Sequence, residues 1–146
     1  MPRSPYRVLA TGFERAAYGP DGLPGVLDEL GRRSPHLALH LRISLSDTAR
    51  DMAAADLVIV TSPPSCPRAV PPALFEALAE GRPIMSLCHN PEVSEILWRT
   101  GGGLHFGPED VDWAAHFLAL AIEAHLDGHP GPFPRAARIR SPTACA

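Results

Sequence analysis

Between Leu57 and Leu104 the chain alternates compact apolar runs with segments that open on proline and close on glycine, and few architectures accept that order. The run LVIVT at 57–61 is β-branched and apolar up to its threonine, as in a strand covered on both faces. SPPSCPRAVPP follows, and its prolines lack the N–H a sheet ladder needs, so the strand must end there. A helix is predicted over 73–80, started after Pro72 and stopped at Gly81. PIMSL at 83–87 predicts another buried strand, and 92–100 a helix with Val93, Ile96 and Leu97 on one face. Gly101, Gly102 and Gly103 stop that helix before a short strand, LHF, at 104–106. Strands alternating with helices imply right-handed parallel crossovers. The expected fold is therefore α/β, a three-layer sandwich around a mostly parallel, doubly wound, Rossmann-like sheet.

The flanking segments extend the pattern. YRVLAT at 6–11 predicts a first strand, ended by Gly12 and a polar loop. A helix is expected from near Leu23, with Pro24 preset for the first turn, to near Arg33. HLALHLRI at 36–43 alternates, placing Leu37, Leu39, Leu41 and Ile43 on one face of a predicted strand. Residues 46–55 predict a short helix capped by Ser46 or Asp47, and 109–125 a long final helix with Glu109 and Asp110 at its positive end. From Gly128 no period remains. Residues 1–128 are expected to form the domain, and 129–146 a Pro/Arg-rich tail, disordered or draped.

Composition excludes several functions. A chain of 146 residues is one ordinary domain, and a net charge of −3 gives no reason to expect nucleic acid. All 13 basic residues are arginine, which excludes lysine Schiff-base chemistry and the P-loop lysine. Three cysteines without a CxxC pair argue against a disulfide framework. The N-terminus lacks the apolar core of a signal peptide and the apolar runs are too short to span a bilayer, so a cytoplasmic protein with no direct membrane span is expected. The seven histidines show no ligand spacing, and no metal site is expected.

In an open α/β sheet, ligands bind outside the carboxyl ends of the strands. The start of the 73–80 helix offers backbone N–H groups at Ala73 and Leu74 for a phosphate, and Glu76, one turn in, suits ribose hydroxyls. Its plain alternative is a solvated helix glutamate. The corner Cys88-His89-Asn90 supplies His89 or Asn90 as a hydrogen-bond donor; Cys88 and His89 are adjacent and point apart, which disfavours a thiolate–imidazole pair. Arg15, after the first strand, suits a diphosphate clamp or is simply a surface arginine. The three glycines follow a helix and precede a strand, the reverse of a dinucleotide fingerprint.

PPALFEALAEGRPIM, then PEVSEIL, then TGGGL, with AADLVIVTS upstream, resembles the donor-binding C-terminal half of two-Rossmann-domain (GT-B) glycosyltransferases of the glycogen-synthase-like group 1, or family 4. The resemblance covers about residues 50–122 well and 6–44 weakly. It implies transfer from a nucleoside diphosphate sugar as donor substrate, with no cofactor, and carries ribose binding over to Glu76. Arg68 stands where such proteins often have a second, sugar-contacting glutamate; His89, Asn90 and Pro91 replace glycines; and the basic pair after the first strand is reduced to Arg15. The acceptor domain has no counterpart here, so a separate acceptor-domain protein is an implied partner. The competing expectation is a non-catalytic α/β module that binds a partner protein, or a truncated remnant.

Overall fold

A computed structural model of the chain describes residues 4–11, 22–46, 48–62 and 68–134. Five strands form one parallel sheet: β1 (Tyr6–Thr11), β2 (Leu41–Leu45), β3 (Leu57–Val60), β4 (Ile84–Leu87) and β5 (Gly103–Phe106). Their spatial order is β2-β1-β3-β4-β5. The helices are α1 (Leu23–Arg33), α2 (Pro35–Ala38), α3 (Ala49–Ala54), α4 (Pro72–Ala79), α5 (Pro91–Thr100) and α6 (Val111–Asp127). This is the doubly wound, three-layer α/β sandwich that the alternation demands.

The two faces are filled by different helices, as the two-residue period of a strand requires. Val8, Ala10, Leu57, Ile59, Met85 and Leu87 pack with α1 and α6. Leu9, Val58, Val60, Ile84 and Cys88 pack with α3, α4 and α5. Every residue of β3 and β4 is buried, which is why their sequences carry no alternation. Chain direction across the sheet reverses between β1, which leads outward to β2, and β3, which leads the other way. The crevice at this reversal is where such sheets receive ligands.

Helix ends follow their residues. Pro71 caps α4 in extended conformation with Pro72 at the first helical position, and Gly101 ends α5 in the left-handed region, φ 64°. Helix α3 is capped by Thr48, whose hydroxyl accepts from the Asp51 N–H at 3.2 Å, in place of the expected Ser46 or Asp47. Phe133 is buried with the α1/α6 layer.

One element differs in kind. The strand expected over 36–43 is a helical turn, α2, followed by β2 from Leu41. Ser34 and Pro35 start that turn, Leu37 is buried, and Leu39 is 83% exposed instead of sharing the core face. The alternating leucines mimic a strand, but a proline at the first helical position sets the local backbone first.

Two glycines separate steric need from habit. A Cβ on Gly103 would strike the Ile84 carbonyl and side chain, whereas one on Gly31, inside α1, meets nothing within 4 Å. Gly103→Ala is expected to cost on the order of 3 kcal/mol in urea unfolding. Gly31→Ala is expected to add about 0.5–1 kcal/mol through helix propensity. Equal effects at the two positions would contradict the packing described.

Candidate functional site

The carboxyl ends of β1, β3, β4 and β5 form a polar rim stitched from strand to strand. Thr11 Oγ1 donates to the Ile59 carbonyl at 3.2 Å, tying β1 to β3. Thr61 Oγ1 donates to the Leu87 carbonyl at 2.6 Å, tying the end of β3 to β4. Both threonines are buried, so each hydroxyl needs such a partner.

Asn90 anchors the corner after β4. It is 1% exposed. Its amide Nδ2 donates to Ser62 Oγ at 3.1 Å and to the Ala69 carbonyl at 3.2 Å, while Oδ1 accepts from the Glu92 N–H at 3.0 Å as the cap of α5. Ser62 Oγ in turn donates to the Ala69 carbonyl at 2.9 Å. Both amide hydrogens of Asn90 are thus taken inside the protein, and the residue fixes the β3–α4 loop against the β4–α5 corner. Asn followed by Pro and Glu is an N-cap signature, and that signal marks the structural role.

His89 turns outward. Its Nε2 lies 2.9 Å from Glu109 Oε2, with both side chains more than half exposed, so the pair bridges the β4 and β5 corners but adds little to stability. Beneath it, His105 Nδ1 lies 2.6 Å from Ser86 Oγ across the β4–β5 register, and Ser86 is fully buried. Neither His105 nor Ser86 stood out in the sequence; only the strand register brings them together. Burial, then the neighbouring His89, hold the His105 imidazole below its ordinary pKa, while Asp110 and Glu109 act the other way. Cys88 is buried in the α3–α5 layer, and His89 faces Glu109 instead, so no thiol–imidazole pair exists at this corner.

Helix α4 rises from the β3 end of the rim. Ala73 and Leu74 are buried against the sheet, and the Leu74 N–H donates back to the Pro71 carbonyl at 3.0 Å. Glu76 is exposed and shares the outer side of α4 with Phe75. No partner for its carboxylate occurs among the described residues. Arg68 is exposed in a turn of the β3–α4 loop. Arg15 lies outside the described residues. The fold therefore gathers Asn90, His89 and the α4 start at one rim, and sets Glu76 on the outer surface of the helix that leaves it.

Glu76 lines neither of two hollows bounded by described residues. One, of about 400 Å³, lies beside β2 and α3 and is lined by Arg7, Arg42, Ser44, Ser46 and Asp51 among others. The other, of about 360 Å³, lies at the amino end of the sheet near Tyr6, Asp56 and His125. Among the described residues there is no group of His, Cys, Asp or Glu arranged to hold a metal ion, and no helix long and apolar enough to cross a membrane.

No protein-family model matches the chain, and no curated protein matches it. The parallel sheet itself is Rossmann-like, a fold consistent with the GT-B superfamily and compatible in general with a nucleotide-sugar-binding domain.

Asn90→Ala removes a cap, leaves Ser62 Oγ without its donor and leaves the Ala69 carbonyl with Ser62 alone; an expected loss of about 2–3 kcal/mol should appear in urea unfolding. Asn90→Asp keeps the acceptor for Glu92 but turns a carboxylate toward the Ala69 carbonyl, so it should rescue little. Full rescue by aspartate would reduce Asn90 to its capping bond alone. For His105, a lowered folded pKa means that the unfolded chain takes up the proton first. Its contribution is complete above the unfolded value of about 6.5 and is lost as pH falls through that value toward the lower folded one. His105→Asn should flatten the decline in unfolding free energy between pH 7.5 and pH 5.5; an unchanged slope would place the proton uptake elsewhere.

Proposed function

We propose that this chain is the donor-binding half of a nucleotide-sugar-dependent glycosyltransferase. The observation that carries the reading is Glu76: an ionisable side chain without a partner among the described residues, one turn into the helix that leaves the β3 end of the rim. It sits within the PPALFEALAEGRPIM order, which folds as helix, glycine stop and buried strand.

In this reading a nucleoside diphosphate sugar lies over the carboxyl rim between β1 and β4. The Glu76 carboxylate accepts hydrogen bonds from the ribose hydroxyls. The diphosphate meets the positive end of α4 at the Ala73 N–H, beside Leu74, whose own N–H stays on the Pro71 carbonyl, together with Arg15. His89 reaches the sugar from the next corner, held by Glu109. Asn90 works by position, tying the β3–α4 loop that carries Arg68 to the corner beside the donor, and Arg68 reaches the donor from that loop. Stabilising the diphosphate as it leaves is the chemical contribution of such a half, and an acceptor-domain protein supplies the rest of the cleft. Residues 1–128 form the donor unit in this reading, and the cytoplasm, where nucleotide sugars are made available, is its place.

A second reading is a non-catalytic module that binds a partner protein, or a truncated glycosyltransferase remnant. It is favoured by one observation, that Glu76 shares its exposed side of α4 with Phe75, which is 54% exposed, and lines neither hollow.

Calorimetry against UDP-, GDP- and ADP-sugars separates the two. The first reading expects saturable heat with one of them, weakened roughly tenfold to a hundredfold in Glu76→Gln, the worth of a hydrogen bond or two to a charged acceptor, and unchanged in Glu80→Gln. Silence with every donor, at protein concentrations that report millimolar binding, would overturn it in favour of the second.

A further inference from the structure

The outer edge of the sheet at β2 carries an inference that stands apart from any ligand. The Tyr6 N–H donates to the His40 carbonyl at 2.8 Å, and the Ser46 N–H to the Ala10 carbonyl at 3.2 Å. Backbone groups alternate sides along a strand, and the parallel register pairs Tyr6 with Leu41, Val8 with Ile43 and Ala10 with Leu45. Arg42 and Ser44 therefore direct their backbone N–H and C=O groups at β1. Leu41, Ile43 and Leu45 direct theirs outward, where the sheet order gives them no neighbouring strand among the described residues.

Natural edges are blunted by proline, lysine, bulges or extreme shortness. LRISL contains no proline or lysine, its register with β1 is unbroken, and its one charged residue is Arg42. The chain instead leaves apolar surface at both ends of this strand: Leu39 just before it is 83% exposed and Leu45 at its end is 59% exposed. The opposite edge, β5, is four residues long and opens on Gly103.

We propose that β2 is a self-association edge whose occupant is β2 of a second copy of this chain, paired antiparallel about a two-fold axis at Ile43. This register is self-complementary. Ile43 faces Ile43 of the second copy and Leu41 faces Leu45, so all three residues with outward backbone groups form hydrogen-bonded pairs, about six bonds in all. Their apolar side chains line up on the α1/α6 side, where Leu41 and Ile43 already pack against the core. On the other face Arg42 falls opposite Ser44, so no like charges meet directly. The axis makes the contact isologous and closed, a ten-stranded sheet across two copies and not a filament. The charges lining the hollow beside this edge are Arg7 and Arg42 on the sheet and Asp51 on α3. Asp51 is engaged by Ser46, whose hydroxyl donates to its carboxylate at 2.5 Å. The arginines of the two copies therefore repel across the seam, and added salt, by screening them, should tighten the pair.

Light scattering after size exclusion on the full chain, from micromolar to near-millimolar loading, gives the first readout. The mass should climb with concentration from 15.6 kDa toward twice that value. Hydrogen exchange gives the second and more specific one: at high concentration the amides of Leu41, Ile43 and Leu45 should gain protection, while those of Arg42 and Ser44, already bonded to β1, should not change. Leu45→Lys alters an exposed side chain, and Leu45→Pro removes an outward N–H that β1 does not use. Both should keep the monomer's circular dichroism and weaken pairing on the order of tenfold or more. Leu120→Lys, on α6, should pair as the parent does. A strictly monomeric parent at every concentration overturns the proposal. So does a dimer that Leu45→Lys and Leu45→Pro leave intact, or one whose protection fails to alternate along β2.

Discussion

Burial of β3 and β4 on both faces is the constraint on which the rest of the molecule depends. Leu57–Val60 and Ile84–Leu87 meet helices above and below, so no side chain within them is free to touch a ligand. A parallel sheet of this kind gains its stability from the two apolar layers and leaves its chemistry to the strand ends. Polar residues accordingly begin where the layers stop: Thr61 and Ser62 after β3, His89 and Asn90 after β4.

At those ends the first demand on each polar group is structural. Thr11, Thr61, Ser62 and Asn90 lie in or under the rim and satisfy one another or a backbone carbonyl. The cost of an unpaired buried polar group forces this pattern whatever the rim binds. Among the described residues, the groups that the stitching does not consume include the outward-facing His89 and Glu109 and the exposed Glu76 and Arg68. Rigidity of the corner and availability for binding are thus divided between neighbouring residues, Asn90 serving the first and His89 the second.

Much of this was legible in the sequence. Runs such as LVIV and IMSL, bounded by proline and glycine, specify buried strands because no other element is so short and so uniformly apolar. Pro72, Pro91 and Gly101 mark helix ends because each backbone preference is local. Residues 36–43 misled because spacing alone does not separate a strand from a helical turn leading into one, and Leu39 lies on the surface despite its place in the alternation. Asn90 could be placed at a helix start from Asn-Pro-Glu. Its bonds to Ser62 and Ala69 could not, since they depend on where a loop many residues earlier comes to lie.

By itself the sequence determined the alternation of elements, the layers they build and the end of the sheet at which polar side chains collect, because proline geometry, glycine freedom and apolar period act over a few residues. Tertiary structure alone decided the strand order, with β1 inside β2 and beside β3. It set His105 against Ser86, spent the hydrogens of Asn90, and left the outward backbone groups of Leu41, Ile43 and Leu45 without a neighbouring strand among the described residues. Those outcomes join residues far apart in the chain, and only the packing of the helices on both faces of the sheet fixes which of them meet.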